Sequence, residues 1–231
     1  MHRIRPALLV CLLASSLLSS KASEPPQATV SFTLDFPQST PDHYSIVIDT
    51  SGNASYTSGL PKPESQADSE TTSVSDQPYH YGFTLSPATR DRIFDLAARA
   101  NYFSGKLDDT RHNMANTGVK TLRYKDSRRS TEAKYNYTTN SAVQQLTALF
   151  QRLSTTLEYG RRLSQAYQYQ KLALDEELKG MEQQADQNEL VDVEAVAPIL
   201  KKIVGDSSVM NVTRARAERL LEKAKNSRAA E

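Results

Sequence analysis

The chain has 231 residues, with 28 basic and 27 acidic side chains and a formal net charge of +1 at pH 7. This balance, with basic pairs scattered along the chain, disfavours a nucleic-acid-binding protein, which usually carries a basic surface. The single cysteine excludes a disulfide within the chain, and the absence of tryptophan disfavours an aromatic cage.

The first residues are typical of a removable signal peptide. Basic residues precede an apolar run over 7–18, and small residues follow up to Ala22. The run is shorter than the roughly 20 apolar residues that cross a membrane. We therefore expect cleavage near Ala22 and export to the periplasm or the medium. Because Cys11 lies inside the apolar run, the mature chain would contain no thiol and no transmembrane span.

Alternating apolar residues predict the first strands of a half-buried sheet. Residues 29–36 and 44–50 alternate with period two, and a turn leads from the second stretch into 54–57. Residues 59–78 contain few apolar residues and no aromatic residue, so they cannot bury enough surface to offset their ordering entropy. We expect a disordered loop there, followed by a strand over 79–85.

A helix is predicted to begin where Ser86 caps it and Pro87 takes the first helical position. A polar loop over 105–118 follows this helix. Residues 119–124 and 131–137 then have the pattern of a second hairpin. The first part of the chain therefore combines an antiparallel sheet with at least one helix packed on it.

Helical composition dominates the rest of the chain, and Asn140 is predicted to cap the helix that begins there. An apolar stripe repeats at intervals of three and four along residues 141–187. One straight helix of this length would span roughly 70 Å, so it must bend or leave the first unit, and Gly160 is the favoured junction. Later helices over 196–204 and 212–221 would complete a bundle.

These elements predict an α+β protein: an antiparallel sheet with packed helices, followed by a C-terminal helical bundle that shares a long helix. The predicted domains after the signal peptide (1–22) are an α+β domain over 23–160, with the 59–78 loop inside it, and a helical domain over 161–231.

Several short stretches resemble an uncharacterised group of exported bacterial proteins. In the first domain they are 31–36, 44–46, 115–118, Leu122, Tyr124 and 135–137, and in the tail they are 169–178, 209–212 and 214–221. The resemblance covers most of the mature chain. It implies export and membership of that group, to which no function is attached.

The polar loop holds the strongest candidate for chemistry, because Asp108, Asp109 and His112 lie close together in it. A hydrolase could use either carboxylate to orient His112 as a general base. Alternatively, the same residues form turns on a polar surface. The sequence contains no metal-ligand spacing, phosphate-binding loop or dinucleotide fingerprint, so we expect no metal and no cofactor.

The favoured function is a non-enzymatic binding or structural module of the bacterial envelope or secretome, whose partner is a protein and not a nucleic acid. Two alternatives stay open. One is a hydrolase that uses the loop at residues 108–112, and the other is an inhibitor-like domain that docks through its sheet.

Overall fold

The computed structural model describes residues 27–37, 39–59, 78–109 and 115–229. These residues form a six-stranded antiparallel sheet and five α-helices, which confirms the predicted α+β class with its C-terminal helical group. The predicted signal peptide at 1–22 and all but the ends of the predicted loop at 59–78 lie outside the described residues.

The strands follow from alternating apolar residues, as predicted. They are β1 (Thr29–Asp35), β2 (His43–Asp49), β3 (Asn53–Ser58), β4 (Tyr79–Thr84), β5 (Val119–Lys125) and β6 (Ser130–Tyr135). Their order in the sheet is β4-β3-β2-β1-β5-β6, so β4 and β6 are the edge strands. The register places Phe32 opposite Ile46 on one side and Leu122 on the other, and all three side chains are fully buried.

The helices are α1 (Pro87–Arg99), α2 (Ser141–Tyr169), α3 (Leu174–Asp186), α4 (Ala197–Gly205) and α5 (Asn211–Ala229). Both predicted caps are confirmed. The Ser86 hydroxyl accepts the N–H of Thr89 at the start of α1, and the Asn140 side chain accepts two N–H groups at the start of α2. Each cap satisfies backbone donors that have no partner inside the helix.

The long helical segment bends at Gln170 and continues without interruption through Gly160. Gln170 has non-helical dihedrals (φ −148°, ψ 63°), and a short 3₁₀ turn over Lys171–Ala173 leads into α3. At Gly160 an added Cβ would lie 2.5 Å from Cγ1 of Val196. The glycine therefore allows the 3₁₀ segment Val193–Val196 to approach α2 closely. The division into separate domains near residue 160 stays a prediction.

The helices cover one face of the sheet. The Phe150 ring on α2 stacks on Phe32 of β1 with centroids 5.0 Å apart. Buried apolar residues continue from this contact along α2 into the helical group, where Leu163, Met181 and Leu200 are fully buried. Within the described residues, no helix is both long enough and apolar enough to span a membrane.

Candidate functional site

The carboxylates singled out in the sequence lie where the chain approaches the end of β6. One oxygen of Asp108 accepts the backbone N–H of Asn136 at 2.8 Å and that of Tyr137 at 3.4 Å. The backbone N–H of Asp109 donates to the carbonyl of Tyr137 at 2.9 Å. His112 lies outside the described residues, so its pairing with a carboxylate stays a prediction. Asp108 itself anchors the loop to the sheet.

A buried lysine on β5 holds the other end of this loop, and sequence reasoning missed it. The Lys120 ammonium donates to the carbonyls of Thr117, Gly118 and Asn136 at 3.1–3.2 Å and to the Thr117 hydroxyl at 2.9 Å. Burial lowers the pKa of Lys120. Since these acceptors take up all the protons of the ammonium group, Lys120 fixes the loop and leaves no donor for a substrate.

Metal ligation finds no support in the described part of the chain. Nowhere among its residues do three or more His, Cys, Asp or Glu side chains converge in a way that could hold an ion.

The edge strand β4 offers a different kind of site. It pairs with β3 on one side, and no strand among the described residues pairs with its other side. Its outward positions are His80, Gly82 and Thr84, and the strand contains no Asp, Glu, Lys or Arg. Tyr79, Tyr81 and Phe83 point towards the helices and form an aromatic ladder, with successive ring centroids 6.2 and 6.0 Å apart and nearly parallel planes.

A groove separates β4 from the segment that leads into α4. The Tyr81 side chain reaches from the strand to this segment, where its hydroxyl donates to the carbonyl of Ala195 at 2.8 Å. A cavity of about 380 Å³ lies between residues 81–87 and the wall that contains Ala195, Pro198 and Lys201. A second cavity of about 130 Å³ adjoins it and is lined by Tyr79, Tyr81, Pro198 and Lys202. Together these two cavities form what we call the β4 groove.

The helical wall of the β4 groove is basic. Lys201 and Lys202 are exposed on α4, and neither takes part in the ion pairs found among the described residues. Glu194 also lines the groove, but it has an interaction of its own. The groove therefore sets two unpaired ammonium groups opposite an uncharged strand.

A buried carboxylate supports this side of the sheet. Glu158 on α2 is only 5% exposed. It accepts hydrogen bonds from the hydroxyls of Tyr56 at 2.7 Å and Ser58 at 2.8 Å, and from the Arg161 guanidinium at 2.7 Å. Burial, with the neighbouring Glu158 charge, raises the pKa of Tyr56 well above its ordinary value. Because Tyr56 and Ser58 belong to β3, these bonds hold in place the strand with which β4 pairs.

The opposite face of the sheet is polar. The hydroxyl of Thr33 donates to that of Ser45 at 3.3 Å, and Thr57 lies 3.0 Å from His80. Val47 is 40% exposed on this face. Such a surface offers little apolar area to a partner, and docking of an inhibitor-like domain through it stays a prediction.

No protein-family model matches the chain, and no curated protein is similar to it.

Proposed function

We propose that this protein is an exported, non-enzymatic binding module that captures an extended segment of a partner protein along the edge of β4 that no described strand covers. The observation that carries the proposal is an edge strand without Asp, Glu, Lys or Arg, which has no described strand on its second side and is bordered by a groove. An extended peptide adds to such an edge as a further strand, because backbone N–H and C=O groups pair with any incoming strand.

The geometry of a strand fits the groove. In an antiparallel ladder, alternate residues of β4 direct their N–H and C=O groups away from β3. An added strand would lie about 4.8 Å from β4, with alternate side chains on the helix side about 7 Å apart. The rings of Tyr79, Tyr81 and Phe83 repeat at 6.2 and 6.0 Å, so successive inward side chains of the captured strand would each meet one ring.

Two further observations support the proposal, the first concerning binding rather than catalysis and the second concerning export. The side chains of Asp108 and Lys120, which have the chemistry that a hydrolase would need, are both bonded to the backbone of Asn136, just after β6. The signal-peptide layout at 1–22 and the resemblance to exported bacterial proteins support a role outside the cytoplasm.

The test uses protein purified after expression of the full chain. An array of peptides of about eight residues is screened, and the best binder is titrated by fluorescence anisotropy; we expect a dissociation constant below about 1 mM. The peptide is then N-methylated at one position at a time. Methyl groups should abolish binding at every second position, because only alternate N–H groups face β4.

Hydrogen exchange locates the bound peptide, with the other edge of the sheet as an internal control. The peptide should protect amides of Tyr79–Thr84 and leave those of Ser130–Tyr135 unchanged. If no peptide binds, or if methylation is tolerated at every position, the proposed function is wrong.

A further inference from the structure

Building on the proposed function, we infer that the strand captured by β4 is acidic and carries carboxylate side chains at alternate positions that pair with Lys201 and Lys202. The proposed function requires only an extended backbone. The two lysines add a side-chain preference, and this preference defines the chemical class of the partner.

The positions of the two lysines along the groove set the spacing of the carboxylates. Lys201 lines the larger cavity, beside residues 81–87, and Lys202 lines the smaller cavity, beside Tyr79 and Tyr81. A strand that follows β4 therefore passes both lysines in turn. Side chains at positions i and i+2 of a strand share one face and lie about 7 Å apart. An acidic residue at every second position would reach both ammonium groups from the same face.

The charges around the groove favour an acidic ligand. The strand wall contributes no charge, and the helical wall contributes the two unpaired lysines. The one carboxylate that lines the groove, Glu194, is already engaged. A basic peptide would bring like charges together. A second copy of this chain would present its own β4, whose sequence has no acidic residue, and would leave both lysines unpaired.

The experiment compares two labelled peptides of about eight residues in fluorescence anisotropy. One has glutamate at every second position, and the other has glutamine at the same positions. At low salt the glutamate peptide should bind at least about tenfold more tightly to the wild-type protein. At about 0.5 M salt this difference should shrink, because exposed charges are then screened.

A double variant, Lys201→Gln with Lys202→Gln, identifies the groups responsible. Both side chains are exposed and glutamine is nearly as good a helix former as lysine, so α4 should stay folded. The variant should bind both peptides equally. The matched control, Lys125→Gln with Lys134→Gln, removes two exposed lysines from β5 and β6 and should keep the full preference for glutamate.

The outcomes separate this inference from the proposed function. Equal binding of the two peptides to the wild-type protein, with binding still sensitive to alternate N-methylation, overturns the acidic preference and leaves strand capture intact. Loss of the glutamate preference in the Lys125 and Lys134 control also overturns it. Failure of both peptides to bind overturns strand capture itself. A dimer in sedimentation analysis, with β4 amides protected in the protein alone, would identify a second copy as the occupant and overturn the inference.

Discussion

The two edges of the sheet differ in how they meet solvent. Edge strand β6 carries Glu132 and Lys134; Glu132 pairs with Arg123 of the neighbouring strand at 2.5 Å and lies 3.6 Å from Lys134. Edge strand β4 carries no charge and borders a groove. Charged side chains on an edge strand discourage another strand from pairing. Among the described residues, the β4 edge therefore has neither a pairing strand nor charged side chains, whereas the same sheet protects its β6 edge with charge.

The difference extends to the side chains beneath the strands. Below β3 and β4, the Glu158 carboxylate accepts hydrogen bonds from two hydroxyls and a guanidinium. Below β6, the Tyr135 hydroxyl meets the Thr147 hydroxyl at 2.5 Å, and both groups are neutral. The β4 edge therefore rests on a buried ionic network, and the β6 edge rests on neutral hydrogen bonds, which include one from the Thr131 hydroxyl to the Tyr102 carbonyl.

The largest effect is expected from removing the buried carboxylate. Glu158→Ala leaves the hydroxyls of β3 and the Arg161 guanidinium without their partner, and it should lower the free energy of unfolding by about 2–4 kcal/mol. Urea denaturation measures the loss. The matched change under the other edge, Thr147→Val, should cost only about 1 kcal/mol. Equal losses would show that the two edges are supported to the same degree.

Alkaline pH provides the second comparison, since each edge strand has a tyrosine with a raised pKa. Burial raises the pKa of Tyr135 on β6 and of Tyr79 on β4 to about 12. Their folded-state pKa lies above the unfolded value of about 10, so the folded state favours the protonated phenols. Their contribution to stability is complete below about pH 10 and is lost as the pH rises towards about 12.

Tyr135 should account for the larger share of this loss. It is 3% exposed, and its contribution is on the order of 2 kcal/mol. Tyr79 is only partly buried, so solvent screens it and its effect should be smaller. Unfolding midpoints between about pH 9 and pH 11.5 measure the slope. Tyr135→Phe should flatten the slope more than Tyr79→Phe, and the reverse order would contradict the burial argument.

A smaller effect is expected where the helical wall of the groove touches α2. In Gly160→Ala the new methyl group would overlap Val196, costing about 1–3 kcal/mol, which the helix preference of alanine offsets by about 1 kcal/mol. The net loss of stability should be about 1 kcal/mol. Because Val196 belongs to the groove wall, the affinity for a strand at β4 should also fall.

The control for this change is Gly205→Ala at the end of α4, where an added Cβ would meet nothing within 4 Å. This variant should keep both the stability and the affinity of the wild-type protein. Adding Val196→Ala to Gly160→Ala removes the overlapping side chain and should recover the affinity. If the double variant binds no better than Gly160→Ala, the close approach at Gly160 does not set the width of the groove.

Local features of this fold could be predicted from the sequence, and long-range ones could not. The alternation around Phe32 and the caps at Ser86 and Asn140 depend on neighbouring residues, so they were confirmed. The groove depends on Tyr81 reaching Ala195, 114 positions further along the chain, which no local pattern reveals. For the same reason, the sequence suggests that the helix is interrupted at Gly160, whereas in the fold the missing side chain of Gly160 allows Val196 to approach α2.

The burial of Lys120 and the bend at Gln170 also escaped sequence reasoning. A lysine in a strand is normally placed on the solvent side, and only the folded loop supplies the carbonyls that satisfy it. At Gln170 no glycine or proline signals the end of α2. The helix ends where α3 must turn back to bury Leu178 and Met181, which is a requirement of packing and not of local preference.

The smallest effect on stability is expected from making β6 resemble β4. The double change Glu132→Thr with Lys134→Thr removes exposed ion pairs, which contribute little, so the free energy of unfolding should change by less than about 1 kcal/mol. The strand preference of threonine offsets part of that loss.

The larger expected consequence of this double change is self-association of the protein, because the β6 edge loses the charges that keep other strands away. Sedimentation velocity should show concentration-dependent association of the variant but not of Arg123→Gln, which leaves both edge charges in place. If the variant stays monomeric at every concentration, the charges of β6 are not what separates the two edges. The difference would then lie in the groove, which borders β4 and gives an incoming strand a second surface to contact.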